Sequence, residues 1–393
     1  MSPTTTVDFS NRQLRLESEE SAQDTFKDID GADIEQLILR KNTFGIGGAK
    51  VLGEFIQKTP KLKTALLSSI FISQGIDVIP LALPHICNAL LQCSQLTTLD
   101  LSHNAFGQRS VELLVPLLSQ SLSLETVKLA DLGMDGTGGQ ILAGALVTLA
   151  KNIKDAGKTS PLRVLVTSQN LMRDASAIVW AEVIRAHTNL EIIQMNRNDF
   201  YEDGTIAVAS ALVECTRLRM FHYCDNVITN SDERDSPRGW EKLVEAIGKA
   251  RDIESLYITG CLLGEEGADA LFALFAEEEF PRLHSLKVAA NDFTETHYEA
   301  LCDAIESGKL PALKIVYADD EVEDQPVFSK LGDLLEARGG KIVLDSDDNE
   351  QDEDELVVET STAPAASVTP AATDSSVSEL ADLLAGKLEI KSA

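Results

Sequence analysis

The chain has 393 residues, 44% of them hydrophobic, which is enough for a large continuous core. Its formal net charge of −29 at pH 7 argues against nucleic-acid or anionic-membrane binding, since both need a basic face, and suits a basic protein partner attracted at long range. Six cysteines without a C-x-x-C pair or metal spacing predict buried, reduced thiols, with no metal and no cofactor.

The opening stretch MSPTTTVDFSNRQLRLESEES has no apolar run, so no signal peptide is expected. A nine-residue frame, L-x-x-L-x-L-x-x-N, then recurs. It reads IEQLILRKN from Ile34, LTTLDLSHN from Leu96, LRVLVTSQN from Leu162, LEIIQMNRN from Leu190, LRMFHYCDN from Leu218 and LHSLKVAAN from Leu283. IESLYITGC from Ile253 ends on Cys, while LKTALLSSI from Leu62, LETVKLADL from Leu124 and LKIVYADDE from Leu313 keep only the apolar half. Successive frames start 28 to 38 residues apart. That period is the signature of long leucine-rich repeats, one strand and one helix per unit.

Within the frame the apolar positions point into the solenoid, and the residues between them face its concave side. The terminal Asn turns the chain inward and must find backbone partners for its buried amide. Asn42, Asn104, Asn170, Asn198, Asn226 and Asn291 are therefore expected to stack as a structural ladder, with Cys261 in register. Between frames, segments such as AKVLGEFIQ, SVELLVPLLSQ, GGQILAGALVTLAKNI and AIVWAEVIRA carry apolar residues at helical spacing. Cys87, Cys93, Cys215 and Cys302 are placed on such helices, and Trp180 and Trp240 are read as core. The expected fold is an α/β leucine-rich repeat horseshoe of the ribonuclease-inhibitor type, with an inner parallel sheet and outer helices. About ten repeats and an N-terminal cap would fill residues 1–344.

Beyond the repeats, nine of the fifteen residues 345–359 are acidic. With the low-complexity stretch that follows, 345–375 reads as disordered. Residues 376–393 look like a short amphipathic helix, with Ser376 and Glu379 as a capping box and Leu380, Leu384 and Leu388 on one face. The same spacing matches a leucine-rich nuclear export signal, which makes an exportin a candidate partner.

The stretch SSIFISQGIDVIPLALPHICNALLQCSQLTTLDLSHNAFG, residues 68–107, resembles the Ran GTPase-activating proteins of the fungal and protist type. Their pattern runs S-x-I-F, I-P at a helix head, a C-x-x-L segment and a strand ending S-x-N-A-F-G. NTFGIGGAKVL from Asn42, SPLRVLVTSQNLMRDAS and GCLLGEEGA from Gly260 extend the likeness, which covers nearly the whole chain. The resemblance implies a monomeric horseshoe that binds the small GTPase Ran in its GTP form and promotes hydrolysis in nucleocytoplasmic transport. The chemistry belongs to the GTPase, so this chain would be an activator with no catalysis of its own. The cytoplasm is the expected location, with the nuclear envelope as an alternative.

Two positions depart from that pattern. The family's catalytic Asn aligns with Asp131, its ladder Asn with Leu132, and its supporting Arg with Gln74. Gln169 and Leu171 stand where the family usually has Arg. Asp131 can accept a hydrogen bond from a glutamine amide but cannot donate one, and it brings negative charge towards a γ-phosphate. Arg173 and Lys128 are neighbours that could take over these roles. Lys41, Gln169, Arg173, Arg197 and Asp225 are expected to face the partner, with Arg40 a further loop cation. His103 is read as a loop histidine, because no nucleophile or metal ligand accompanies it. The alternative is a catalytically silent interaction scaffold on the same horseshoe. An enzyme in its own right ranks last, since GIGGAK lacks phosphate-loop spacing and no Ser/His/Asp set is legible.

Overall fold

A computed structural model of the chain describes residues 5–229, 238–291, 293–318 and 326–344. The acidic strip, the low-complexity stretch and the C-terminal amphipathic segment lie outside the described residues.

Twelve parallel strands form one sheet in strict chain order. They are β1 (Thr6–Asp8), β3 (Gln36–Ile38), β5 (Thr64–Leu66), β6 (Thr98–Asp100), β7 (Thr126–Lys128) and β8 (Val164–Val166), then β9 (Ile192–Gln194), β10 (Met220–His222), β11 (Ser255–Tyr257), β12 (Ser285–Lys287), β13 (Ile315–Ala318) and β14 (Lys341–Leu344). A two-stranded pair, β2 (Arg15–Leu16) and β4 (Thr43–Phe44), lies apart from it. The helices are α1 (Glu19–Phe26), α2 (Ile46–Ile56), α3 (Ile79–Leu90), α4 (Gly107–Val111), α5 (Val115–Gln120), α6 (Gly136–Asp155), α7 (Arg173–Ala186), α8 (Glu202–Leu212), α9 (Gly239–Lys249), α10 (Glu265–Glu277), α11 (Glu295–Glu306) and α12 (Pro326–Glu336). Each repeat thus supplies one inner strand and one outer helical segment, the leucine-rich repeat architecture.

The middle residue of each strand is the core residue. Leu37, Ala65, Leu99, Val127, Leu165, Ile193, Phe221, Leu256, Leu286 and Val316 lie in adjacent register and are all buried. One continuous hydrophobic cluster runs from Val7 to Leu335. No unit could bury its apolar face alone, so the stack is the folding unit.

The side-chain ladder is visible bond by bond. Asn104 Nδ2 donates to Leu101 O in its own repeat at 2.7 Å and to Leu67 O in the preceding one at 3.0 Å, while its Oδ1 accepts from Ile70 N–H at 2.8 Å. Asn170 repeats the pattern on Thr167 O, Leu129 O and Leu132 N–H. Asn42, Asn226 and Asn291 likewise each donate to a carbonyl of their own repeat and of the preceding one. Asn198 donates to Met195 O, and its N–H donates to Asn226 Oδ1. Cys261 sits in the same row, its N–H on Asn291 Oδ1 and its thiol on Tyr223 O. At Ile70 and Leu132, as at Asn170, Asn198 and Cys261, the next repeat's Asn accepts from the backbone N–H.

Three expectations need correction. SVELLVPLLSQ is one apolar pattern but not one helix: α4 and α5 are separated by a 3₁₀ turn over Glu112–Leu114. Pro116 has no N–H for the helical bond to Glu112 O, so the helix restarts there. Cys93 and Cys215 lie just beyond the ends of α3 and α8, in the turns that return the chain to the next strand, although all six cysteines are buried and free. Finally, β1 pairs in register with β3, so residues 5–12 already form a repeat that the leucine pattern does not announce.

Two buried histidines are held neutral. His187 Nε2–H donates to Leu146 O at 2.9 Å and its Nδ1 accepts from Ser160 at 2.6 Å. Burial pushes its pKa down, and burial, followed by the Lys287 charge, pushes that of His222 down to about 3.

Asn170→Ala should cost about 2–4 kcal/mol of stability, read by chemical denaturation, because it strands buried backbone groups in two repeats. A loss below ~1 kcal/mol would show that the ladder is dispensable. Depressed histidine pKa values give stability that is complete above about pH 6.5 and lost progressively as pH falls from there towards the folded pKa, because the unfolded chain then binds more protons. His187→Gln should therefore lose less thermal stability between pH 7.5 and 5.5 than the unaltered chain. Equal losses would contradict neutral burial.

Candidate partner-binding loop edge

The residue before each ladder position must turn the chain out of the strand. It does so in the left-handed region, with φ of 58° at Asn11 and Lys41, 55° at Ser69, 58° at His103, 48° at Asp131, 59° at Gln169, 54° at Arg197, 56° at Asp225, 62° at Gly260 and 53° at Ala290. For residues with a Cβ this conformation is costly. It is held by the next repeat: Lys41 N–H donates to Ser68 O, Ser69 to Ser102 O, His103 to Ala130 O, Asp131 to Ser168 O, Gln169 to Asn196 O, Arg197 to Cys224 O and Asp225 to Thr259 O, all between 2.8 and 3.1 Å. Backbone bonds of this kind place one side chain per repeat along one edge of the sheet. At about 4.8 Å per strand the row from Lys41 to Asp225 spans roughly 29 Å, the width of a small protein domain.

Lys41, Asp131, Gln169, Arg197 and Asp225, which the sequence reading scatters over five repeats, are therefore members of one line. Lys41, Gln169, Arg197 and Asp225 are exposed and Asp131 is half-buried. Two pairs of neighbours bridge repeats. Arg197 Nε donates to Asp225 Oδ2 at 2.9 Å, and His103 Nδ1 lies 3.2 Å from Asp131 Oδ2. Arg173 stands just outside the row at the start of α7. Its N–H donates to Asn198 O and its guanidinium to Asp199 Oδ2 at 3.1 Å. Gln74 sits in the loop after Phe71, in the repeat of Ser69, its N–H on Phe71 O at 3.1 Å and its side chain half-buried. Two strand spacings, roughly 10 Å, separate the Ser69 and Asp131 places in the row. Lys128 is not a neighbour that could reach a partner in place of Asp131. It is buried on the concave face, in register with Asp100.

Some features of this edge escape sequence reasoning. Ile72, Ile76, Leu171, Tyr201 and Leu262 are exposed apolar side chains on loops that follow the row. Their apolar character reads as core, and only the loop geometry turns them outward. His103 is the other, since its contact with Asp131 depends on a 28-residue repeat spacing. On the concave face, Gln194 Nε2 donates to His222 Nδ1 at 2.9 Å, so Nε2–H of the imidazole donates to Ser255 Oγ, also at 2.9 Å. That tautomer cannot take a proton from the serine, so the pair is not a nucleophile and base.

The opposite rim of the sheet carries a run of charge that is internally compensated. Arg163 grips Glu191 through two bonds of 3.1 and 2.9 Å, and Arg219 grips Glu254 at 3.0 and 2.8 Å. Glu35 pairs with Lys63 at 3.1 Å. Both rims carry pairs between repeats, and the row adds exposed apolar tips on a fixed backbone.

No family model matches the chain. It is 27% identical over 287 residues to Ran GTPase-activating protein 1 of Saccharomyces cerevisiae, an alignment that takes in 71% of this chain and 69% of the yeast protein. With the Ran GTPase-activating protein of Drosophila melanogaster it shares 32% over 218 residues, 54% of this chain and 37% of that one. With Ran GTPase-activating protein 1 of Xenopus laevis it shares 33% over 196 residues, 49% and 34%. The chain thus spans only about a third of the fly and frog proteins.

Arg197→Ala should change folding stability by no more than about 1 kcal/mol, since the pair with Asp225 is nearly half exposed at both ends. Equilibrium urea unfolding checks this. A cost above ~2 kcal/mol would make Arg197 a structural residue and remove it from the proposed contact surface.

Proposed function

The chain belongs to the family of Ran GTPase-activating proteins, and from that premise we propose that it binds GTP-loaded Ran along the left-handed row and accelerates hydrolysis of the bound GTP. The observation that carries this reading is the single line formed by Lys41, His103, Asp131, Gln169, Arg197 and Asp225, flanked by exposed Ile72, Leu171 and Leu262. A rigid strip about 29 Å long matches a globular partner rather than a small molecule. Its apolar tips supply burial, and its polar tips supply register and specificity. The chain's net charge of −29 favours encounter with basic surface on a partner.

The reaction is one in which the GTPase holds nucleotide and attacking water, and an activator contributes by fixing the groups around them. On this reading Asp131 is the residue that approaches the GTPase's water-positioning glutamine. Its carboxylate accepts from the glutamine amide, which leaves the amide oxygen free to orient the water. Gln74 supports the same contact from two repeats away. We place this activity in the cytoplasm, with an exportin as a candidate partner of residues 376–393.

Single-turnover hydrolysis of Ran-bound GTP tests the proposal. The unaltered chain should accelerate it, and Asp131→Asn should change the rate constant by about tenfold or more with little change in affinity. Binding of GTP-loaded Ran without acceleration by either protein would establish the silent scaffold in its place.

A further inference from the structure

Asp131 differs from an amide in one respect that matters at a phosphate-transfer site: it is charged. The fold places a specific partner behind that charge. His103 and Asp131 occupy the same row position in adjacent repeats, both in the left-handed conformation. The two turns are tied by His103 N–H on Ala130 O at 2.8 Å and by Ala130 N–H on the Ser102 hydroxyl at 3.2 Å. His103 Nδ1 then lies 3.2 Å from Asp131 Oδ2. A carboxylate only accepts, so Nδ1 carries the hydrogen and donates it. The imidazole is the more enclosed of the two, its side chain 27% exposed against 51% for Asp131. The histidine therefore braces Oδ2 of a carboxylate that stays about half exposed.

We infer that His103 is a positioning residue for Asp131: it holds Oδ2, aims Oδ1 at the bound GTPase and draws negative charge away from the nucleotide. This deepens the activator reading and rests on it. It adds no covalent step; hydrolysis stays within the GTPase. A purely structural staple between two loops would use the same contact, but it would not distinguish the rate of hydrolysis from binding.

The experiment is a double-mutant cycle on the full chain: unaltered protein, His103→Ala, Asp131→Ala and the double variant, with Asp131→Asn measured alongside. Each is measured for single-turnover hydrolysis at saturating activator and for affinity to Ran loaded with a non-hydrolysable GTP analogue, with thermal unfolding as a check on folding. The expected result is a fall of about tenfold or more in the rate constant for His103→Ala, since a hydrogen bond to a charged group is lost. Affinity should change by less than about threefold, and His103→Ala should have no effect in the Asp131→Ala background, where no acceptor is left for the imidazole. An equal fall in both backgrounds, or a fall in affinity alone, overturns the positioning role and leaves a loop staple. No fall overturns it as well. Absence of acceleration by both the unaltered chain and Asp131→Asn overturns the activator reading itself, and this role with it.

Discussion

Every repeat must reverse its chain from strand to outer layer within one or two residues, and that turn governs the rest of the molecule. The left-handed residue supplies the change of direction, and the Asn after it satisfies the carbonyls that the turn would otherwise strand. Neither works alone. A left-handed residue without the amide leaves buried acceptors unpaired, and an amide on an extended chain would not reach two repeats. Because the bonds run from one repeat to the next, each turn is stabilised by its neighbour. The ladder tolerates Ile70 and Leu132 because the Asn of the following repeat still donates to a carbonyl of that turn, Asn104 to Leu67 O and Asn170 to Leu129 O.

The horseshoe was legible because its signal is redundant. Ten frames at a near-constant period state the strand, the core residue and the turn many times over, so the loss of Asn from a few changes nothing. What the pattern hides is local. The break at Pro116 lies inside an apolar run whose periodicity continues through it. The repeat at β1 has Thr4, Val7 and Phe9 where the frame wants leucines, and its membership is visible only in the pairing with β3. The positions of Cys93 and Cys215 depend on where a helix ends, which apolar spacing does not mark.

The loop edge was legible in a different measure. Asp131, Gln74 and Gln169 come from a resemblance, residue by residue, whereas Lys41, Arg197 and Asp225 come from their loop positions beside the ladder. Their alignment into one row follows from the frame, since all but Gln74 and Arg173 hold its eighth place. The His103 contact and the outward turn of Leu171 and Leu262 could not be read, because both depend on distances between residues far apart in the chain. Charge behaves in the same way. A net −29 is a property of composition, yet Arg163, Glu191, Arg219 and Glu254 neutralise one another along one rim. Composition therefore speaks about long-range attraction and is silent about which rim a partner meets.

The row also shows how a repeat fold separates stability from chemistry. At the eighth position the backbone demands only a left-handed residue, and Asn, Asp, His, Lys, Arg, Gln and Ser all meet that demand here because the inter-repeat hydrogen bond holds them. Asn and Asp differ little in their tolerance of this conformation. Exchanging one for the other at residue 131 therefore has no backbone consequence that would oppose it. The ninth position is the reverse: from Asn42 to Asn291 its side chain is buried, and an amide, the Cys261 thiol or an apolar residue fills it. Substitution at the eighth position is thus read by the partner, and substitution at the ninth by the fold. A solenoid with this division can alter what it does to a GTPase one side chain at a time, with the scaffold unchanged beneath it.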